Sequence, residues 1–264
     1  MRRPPRSGLP PLLASALVLA SGHAVGATGG GTPGGRPPRP GVVREERVVR
    51  VGGVDETWRL EWRTPPAAVC APEAEEWSTC PCAGFEFGEA GELDLVRERP
   101  GATVERLALA PLFADGETPV PGAVLRRWPV KKGDAEASGK PGFAASVKAR
   151  PPAPILELAD YDRDGEATEF VLQVSAGPCG HRPSLLVGLD RRSRTLHAFS
   201  TVEEPGKPLV LERPSDWEKV RAATGRVVLD QYACGDHGTE EEETVTVWAD
   251  AKGLHAKRRT KACL

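Results

Sequence analysis

The feature that most constrains this chain is a two-residue hydrophobic period. In TWRLEW, Trp58, Leu60 and Trp62 fall on one face, and Thr57, Arg59 and Glu61 on the other. Leu93 and Leu95 alternate with Glu92 and Asp94, and Phe170, Leu172 and Val174 share a face. SLLVGLD, TLHAFS, RVVLDQ, TVTVW and GLHAKR repeat the pattern. Such alternation is the mark of strands with one face on a core. Gly-, Pro- and Asp-rich punctuation at short intervals favours hairpins over βαβ crossovers. The expected fold is mainly β, as antiparallel hairpins or a meander, with one or two short helices. An α+β arrangement is the alternative.

The clearest helix is RPSDWEKVRAATG. Ser215 and Glu218 stand three apart as a capping box, Trp217, Val220 and Arg221 line one face, and Gly225 is placed to end it. A second short helix is expected over Pro72–Trp77, while TVERLAL near Val104 fits either strand or helix. Residues 129–154 lack a period and are rich in Gly, Ala, Pro and Lys, which reads as a long loop or linker. The chain then divides into a β-rich first half, 42–128, and a β-rich second half, 153–264.

The opening 27 residues have the order of a secretory signal peptide: Arg2, Arg3 and Arg6, the apolar run Leu9–Ala20, then small Val25-Gly26-Ala27. The run is shorter than the roughly 20 residues a bilayer needs. Residues 28–41 are a Gly/Pro-rich linker. An exported protein, periplasmic or extracellular, is expected, with no transmembrane segment after cleavage. The absence of Asn and the single Ile155 suggest a G+C-rich, bacterial coding bias. The formal net charge is −2, and loss of the three leading arginines would take it to −5. Mild acidity argues against a nucleic-acid partner. Short basic runs, such as KRR at 257–259, read as solvated strand ends.

Six cysteines, Cys70, Cys80, Cys82, Cys179, Cys234 and Cys263, suit disulfides in an exported chain. A Cys80–Cys82 bridge would close a strained ring across Pro81. Each half holds three cysteines, so full oxidation requires a bridge between the halves. A zinc site from Cys179, His181, Cys234 and His237 is the alternative.

The segment ADYDRDGEATEF carries Asp160, Asp162, Asp164 and Gly165 at positions 1, 3, 5 and 6 of a calcium loop, with the Glu166 carbonyl at position 7. An EF-hand would place a glutamate at position 12, which is Val171, and helices on both sides; here strands flank the loop. This DxDxDG segment, over residues 155–200, resembles the Asp-rich calcium loops of FG-GAP and VCBS-type repeats. The resemblance implies calcium as cofactor, held by Asp160, Asp162, Asp164, Glu166 and a closing acid. That acid usually stands at position 9; here position 9 is Thr168, and Glu169 follows. No second DxDxDG is present, so no propeller is implied. Asp236 and Glu240–Glu243 read instead as a solvated acidic turn.

GxSxG, HExxH and Gly-rich phosphate loops are absent. His197 and His255 lie in strand patterns, and Cys179–His181 and Asp236–His237 are adjacent only in sequence. The expectation is a non-catalytic exported β-rich protein with structural calcium, either a binding module with a protein or glycan ligand or an envelope module. A patch of exposed Trp58, Trp77 or Trp128 would favour it. A secreted hydrolase with a metal- or His-based site, and a disulfide-held inhibitor-like module, are the alternatives.

Overall fold

The computed structural model describes residues 41–263 apart from 115, 178 and 179, and of residue 237 only the backbone. The expected signal peptide, and the linker up to residue 40, lie outside the described residues. The architecture is mainly β, with thirteen strands among the described residues. The strands β1 (Val42–Val51), β2 (Val54–Trp62), β5 (Leu93–Glu98) and β6 (Glu105–Ala108) form one antiparallel sheet in the order β1-β2-β5-β6. The short β3 (Ala67–Val69), β4 (Gly88–Gly91) and β7 (Ala123–Arg126) form a second, in the order β3-β4-β7. A third contains β10 (Leu196–Ala198), β9 (Ser184–Leu189) and β8 (Glu169–Gln173), ordered β10-β9-β8. The last runs β11 (Val227–Tyr232), β12 (Glu241–Asp250) and β13 (Gly253–Ala262) in sequence order.

The third sheet organises the rest because both its faces are covered. Leu185, Val187 and Leu189 of β9 join Trp58, Leu60, Trp62, Leu93, Leu95, Phe170 and Leu172 in one core. Leu186 points the other way, into a second core with Trp217, Val220, Leu229, Val245 and Val247. This is why SLLVGL is buried throughout rather than at alternate residues. The first core draws on both sides of residues 129–154, so that stretch does not separate two cores; from residue 41 onward the described chain is one unit. Residues 129–154 hold two short helices, α1 (Asp134–Ala137) and α2 (Phe143–Lys148), in place of the expected loop. Phe143 and Val147 pack with Trp77 and Phe87, and Arg150 pairs with Asp134 at 2.6 Å.

The helix α3 (Pro214–Ala222) buries Trp217 and Val220 as expected, but its start differs. Arg213 is the N-cap and Pro214 the first helical residue, so Ser215 lies inside the helix and makes no cap. Glu218 accepts from Tyr161 Oη at 2.8 Å instead. Residues 72–77 form turns rather than a helix, and TVERLAL contributes β6. Glu241–Glu243 belong to β12 and are not a turn. Trp58 and Trp77 are buried and Trp128 is half-buried, so the exposed Trp patch is not formed.

Two disulfides are present, Cys70–Cys82 and Cys234–Cys263. Each stays within its own half, and Cys80 is an exposed free thiol. Cys179 lies outside the described residues. Cys234 is consumed by its bridge, which removes it from the zinc set. The halves are joined instead by the shared core and by buried polar contacts. Arg97 holds Glu56 at 2.6 and 2.8 Å and donates to Arg194 O at 2.6 Å. No helix among the described residues is long and apolar enough to cross a membrane.

Candidate metal centre

The acidic loop is closed at its base by a single antiparallel bridge. Ala159 N–H donates to Glu169 O at 2.8 Å, and Glu169 N–H to Ala159 O at 3.2 Å. Beyond Glu169 the chain runs directly into β8, so the loop is anchored on the doubly covered sheet. Gly188 of β9 makes that close approach feasible: a Cβ there would lie 2.3 Å from Thr168 O and 2.8 Å from Glu169 Cα. At the sharp turn Gly165 has φ of +92°, a conformation that suits glycine.

Inside the loop, carboxylate oxygens of Asp160, Asp162 and Glu169 all lie within 4.8 Å of one another. Main-chain amides hold them there. Asp164 N–H is 3.1 Å from both Asp160 Oδ1 and Asp162 Oδ1, and Gly165 N–H donates to Asp160 Oδ2 at 3.0 Å. Glu169 accepts from Tyr161 N–H at 2.9 Å and from Thr168 Oγ1 at 2.5 Å. The acid one place beyond the usual closing position therefore returns to the cluster, because its backbone bridge to Ala159 sits at the mouth of the loop.

The other two candidate residues are turned elsewhere. Asp164 accepts from Glu166 N–H at 2.8 Å and lies 3.8 Å from Arg194 Nη1. The Glu166 side chain leaves the loop altogether. It accepts from Gly52 N–H in the β1–β2 turn at 2.5 Å and from Arg194 at 2.6 Å. Only its carbonyl was expected to face an ion.

Burial makes the cluster electrostatically unusual. Asp162 is 2 % exposed and Glu169 fully buried. Desolvation pushes the Glu169 carboxyl up to about 8, and the neighbouring Asp162 and Asp164 add to the rise. Asp162 is also raised, chiefly by burial, against the opposing pull of Arg191. Arg191 is the residue that sequence reading missed. Its Nε lies 3.0 Å from Asp162 Oδ2, and its Nη2 donates to Asp162 O. It sits in the β9–β10 turn, where Asp190 accepts from the amides of Arg192 and Ser193. The available signal was the pair Arg191–Arg192 directly after a strand. Arg163 is turned away and caps α3, donating to Val220 O at 3.1 Å and to Ala223 O, where the helix dipole favours a cation.

All donors in the cluster are oxygens, a set suited to a hard cation rather than to zinc or copper. His181, His197 and His255 do not join it. His181 is buried with Nδ1 3.1 Å from Glu212 Oε2 and Nε2 3.1 Å from Asp236 Oδ2, and it stacks on Tyr232. Both ring nitrogens are thus occupied. Burial lowers the pKa of His197, which packs on Phe199. No family model, curated protein or solved structure matches this chain.

Proposed function

We propose that residues 160–169 hold a calcium ion that fixes the chain for structure, within an exported, non-catalytic β-rich module. The observation that carries this reading is the meeting of Asp160, Asp162 and Glu169 within 4.8 Å, two of them buried. Removing carboxylates from water is costly without a counter-charge. A cation there would offset the burial that raises Glu169 and Asp162. Asp160, Asp162 and Glu169 would supply the carboxylate oxygens, and the Glu166 carbonyl would add a neutral one. The two disulfides support an oxidising, exported setting.

A second reading rests on Arg191, whose 3.0 Å contact with Asp162 already supplies one positive charge. In that case the loop is a self-neutralised turn. Calorimetric titration separates the two. Extracellular-type sites have Kd of roughly 10⁻⁴–10⁻³ M, so saturation is expected by about 10 mM calcium. Absence of heat across that range, with no shift in the amides of 160–169, would leave Arg191 as the counter-charge and overturn the calcium site.

A further inference from the structure

The second half carries a cationic strip that the calcium reading does not use. β13 is an outer strand of its sheet. Alternation puts Lys257, Arg259 and Lys261 on one face, opposite Thr246, Thr244 and Glu242 of β12. All three cations are exposed, and among the described residues none of them is in an ion pair. They stand about 6.7 Å apart, two strand residues each. Arg258, on the other face, is engaged by Glu243 and by Val210 O.

The main chain of the same stretch is open. Val202 N–H donates to Leu254 O at 2.9 Å, and Ala256 N–H to Glu203 Oε2 at 3.2 Å. Even-numbered residues therefore turn their main-chain groups away from β12. The 201–204 turn covers this edge only as far as Ala256. Past it, the amides and carbonyls of Arg258, Thr260 and Ala262 face outward, without a main-chain partner among the described residues.

An uncovered edge strand is a pairing template, and basic side chains on it guard against self-association. A second copy of β13 would bring cations opposite cations. The same charges favour a strand with carboxylates at alternate positions. The inner side of β13 already has this complement: the acidic start of β12, Glu241–Glu243, pairs with Thr260–Ala262, with Glu242 opposite Lys261.

We propose that the outer edge of β13, over Lys257–Ala262, docks an extended acidic segment of a partner protein. The segment adds as a fourth strand, with Asp or Glu at every second residue facing Lys257, Arg259 and Lys261. Its backbone pairs with Arg258, Thr260 and Ala262. This site is separate from the acidic loop and does not rest on calcium.

The test is NMR titration of the purified chain with a short peptide of alternating Glu and Thr. Saturable shifts of the Arg258, Thr260 and Ala262 amides are expected. N-methylation of the peptide amides on the pairing edge should weaken binding about tenfold or more, as should Arg259→Glu combined with Lys261→Glu. Lys140→Glu, in an exposed turn elsewhere, should leave affinity unchanged. Equal binding of methylated and unmethylated peptides would mean attraction by charge alone and overturn strand addition. Heparin or anionic vesicles producing the same edge-amide shifts would also overturn it. So would absence of saturable binding at about 1 mM peptide.

Discussion

Residues 160–169 and the β12–β13 hairpin both gather acidic side chains, yet they are balanced by different means. In the hairpin region several carboxylates stand beside cations of the fold. Glu243 meets Arg258, Glu242 stands opposite Lys261, and Glu203 and Asp250 bracket His255 at 2.7 and 3.1 Å. In the loop, Asp160, Asp162 and Glu169 converge on one another, and the cluster reaches one guanidinium, that of Arg191. The difference comes from register. The β12–β13 pairing sets an acidic strand beside a basic one, whereas the loop folds back on its own aspartates. Carboxylate density alone does not distinguish the two regions; convergence of the carboxylates inside the fold, short of cations, does.

The hairpin should depend on its covalent staple, and this is the largest effect expected. Cys234–Cys263 spans a sequence separation of 29 and closes the far end of the sheet. In the chain-entropy model its removal costs about 3–4 kcal/mol. Cys234→Ala with Cys263→Ala should lower the urea midpoint accordingly while leaving the calcium response of the loop intact. If the calcium response vanished as well, the two acidic regions would not be independent.

The loop should depend on calcium instead. At about 1 mM calcium, a Kd of roughly 10⁻⁴–10⁻³ M stabilises by RT ln(1 + [Ca]/Kd), about 0.4–1.4 kcal/mol. Chelation should therefore lower Tm slightly and speed hydrogen exchange across 160–169 without unfolding the chain. Asp162→Ala should abolish the response, and a variant that kept it would move the site away from Asp162.

Much of this contrast was legible in sequence, and the rest was not for identifiable reasons. The period-two runs located most strands because burial acts on alternate side chains. Asp160, Asp162 and Gly165 were legible because a tight turn demands them locally. The place of Glu169 depends on its bridge to Ala159, a pairing that spacing alone does not reveal. Arg191 comes from 29 residues away in sequence, delivered by the pairing of β9 with β8. The helices α1 and α2 are too short, at 4 and 6 residues, to display a helical period. Pro214 displaced the capping box by taking the first helical position. The disulfides followed neighbours in each half, whereas counting cysteines could show only that full oxidation requires a crossing.

A smaller effect should separate a built-in cation from a bound one by pH. Desolvation pulls the His255 pKa down, but the Glu203 carboxylate hydrogen-bonded to its Nδ1 and the nearby Asp250 carboxylate outweigh it, so the pKa is raised. A raised folded-state pKa means that the stabilisation is fully present below the unfolded value, about 6.5, and is lost as pH rises through the folded value. His255→Asn should thus lower Tm more at pH 5.5 than at pH 8.5, both roughly one to two pH units from the unfolded value. Trp248, stacked on the ring at 4.8 Å and itself covered by the Arg226 guanidinium at 4.5 Å, contributes packing at either pH. An Asn substitution whose cost did not change with pH would mean that the carboxylates hold the ring sterically and not as a cation.

The smallest effect belongs to Glu242. It stands on the outer face of the β12–β13 pair, half-buried and opposite Lys261, with no ion pair at contact distance among the described residues. Cross-strand opposite charges contribute roughly 0.2–1 kcal/mol, and substitutions of surface residues usually fall within about 0.5 kcal/mol. Glu242→Ala should therefore leave both the urea midpoint and the calcium response nearly unchanged, in contrast to Asp162→Ala. It should act on the cationic strip instead. Removing the carboxylate across from Lys261 strengthens the local positive field, so binding of an alternating Glu-Thr peptide should rise, by about twofold or less, and more at low salt than at high. A calcium response lost in Glu242→Ala would place the ion in the hairpin and reverse the assignment of the two acidic regions.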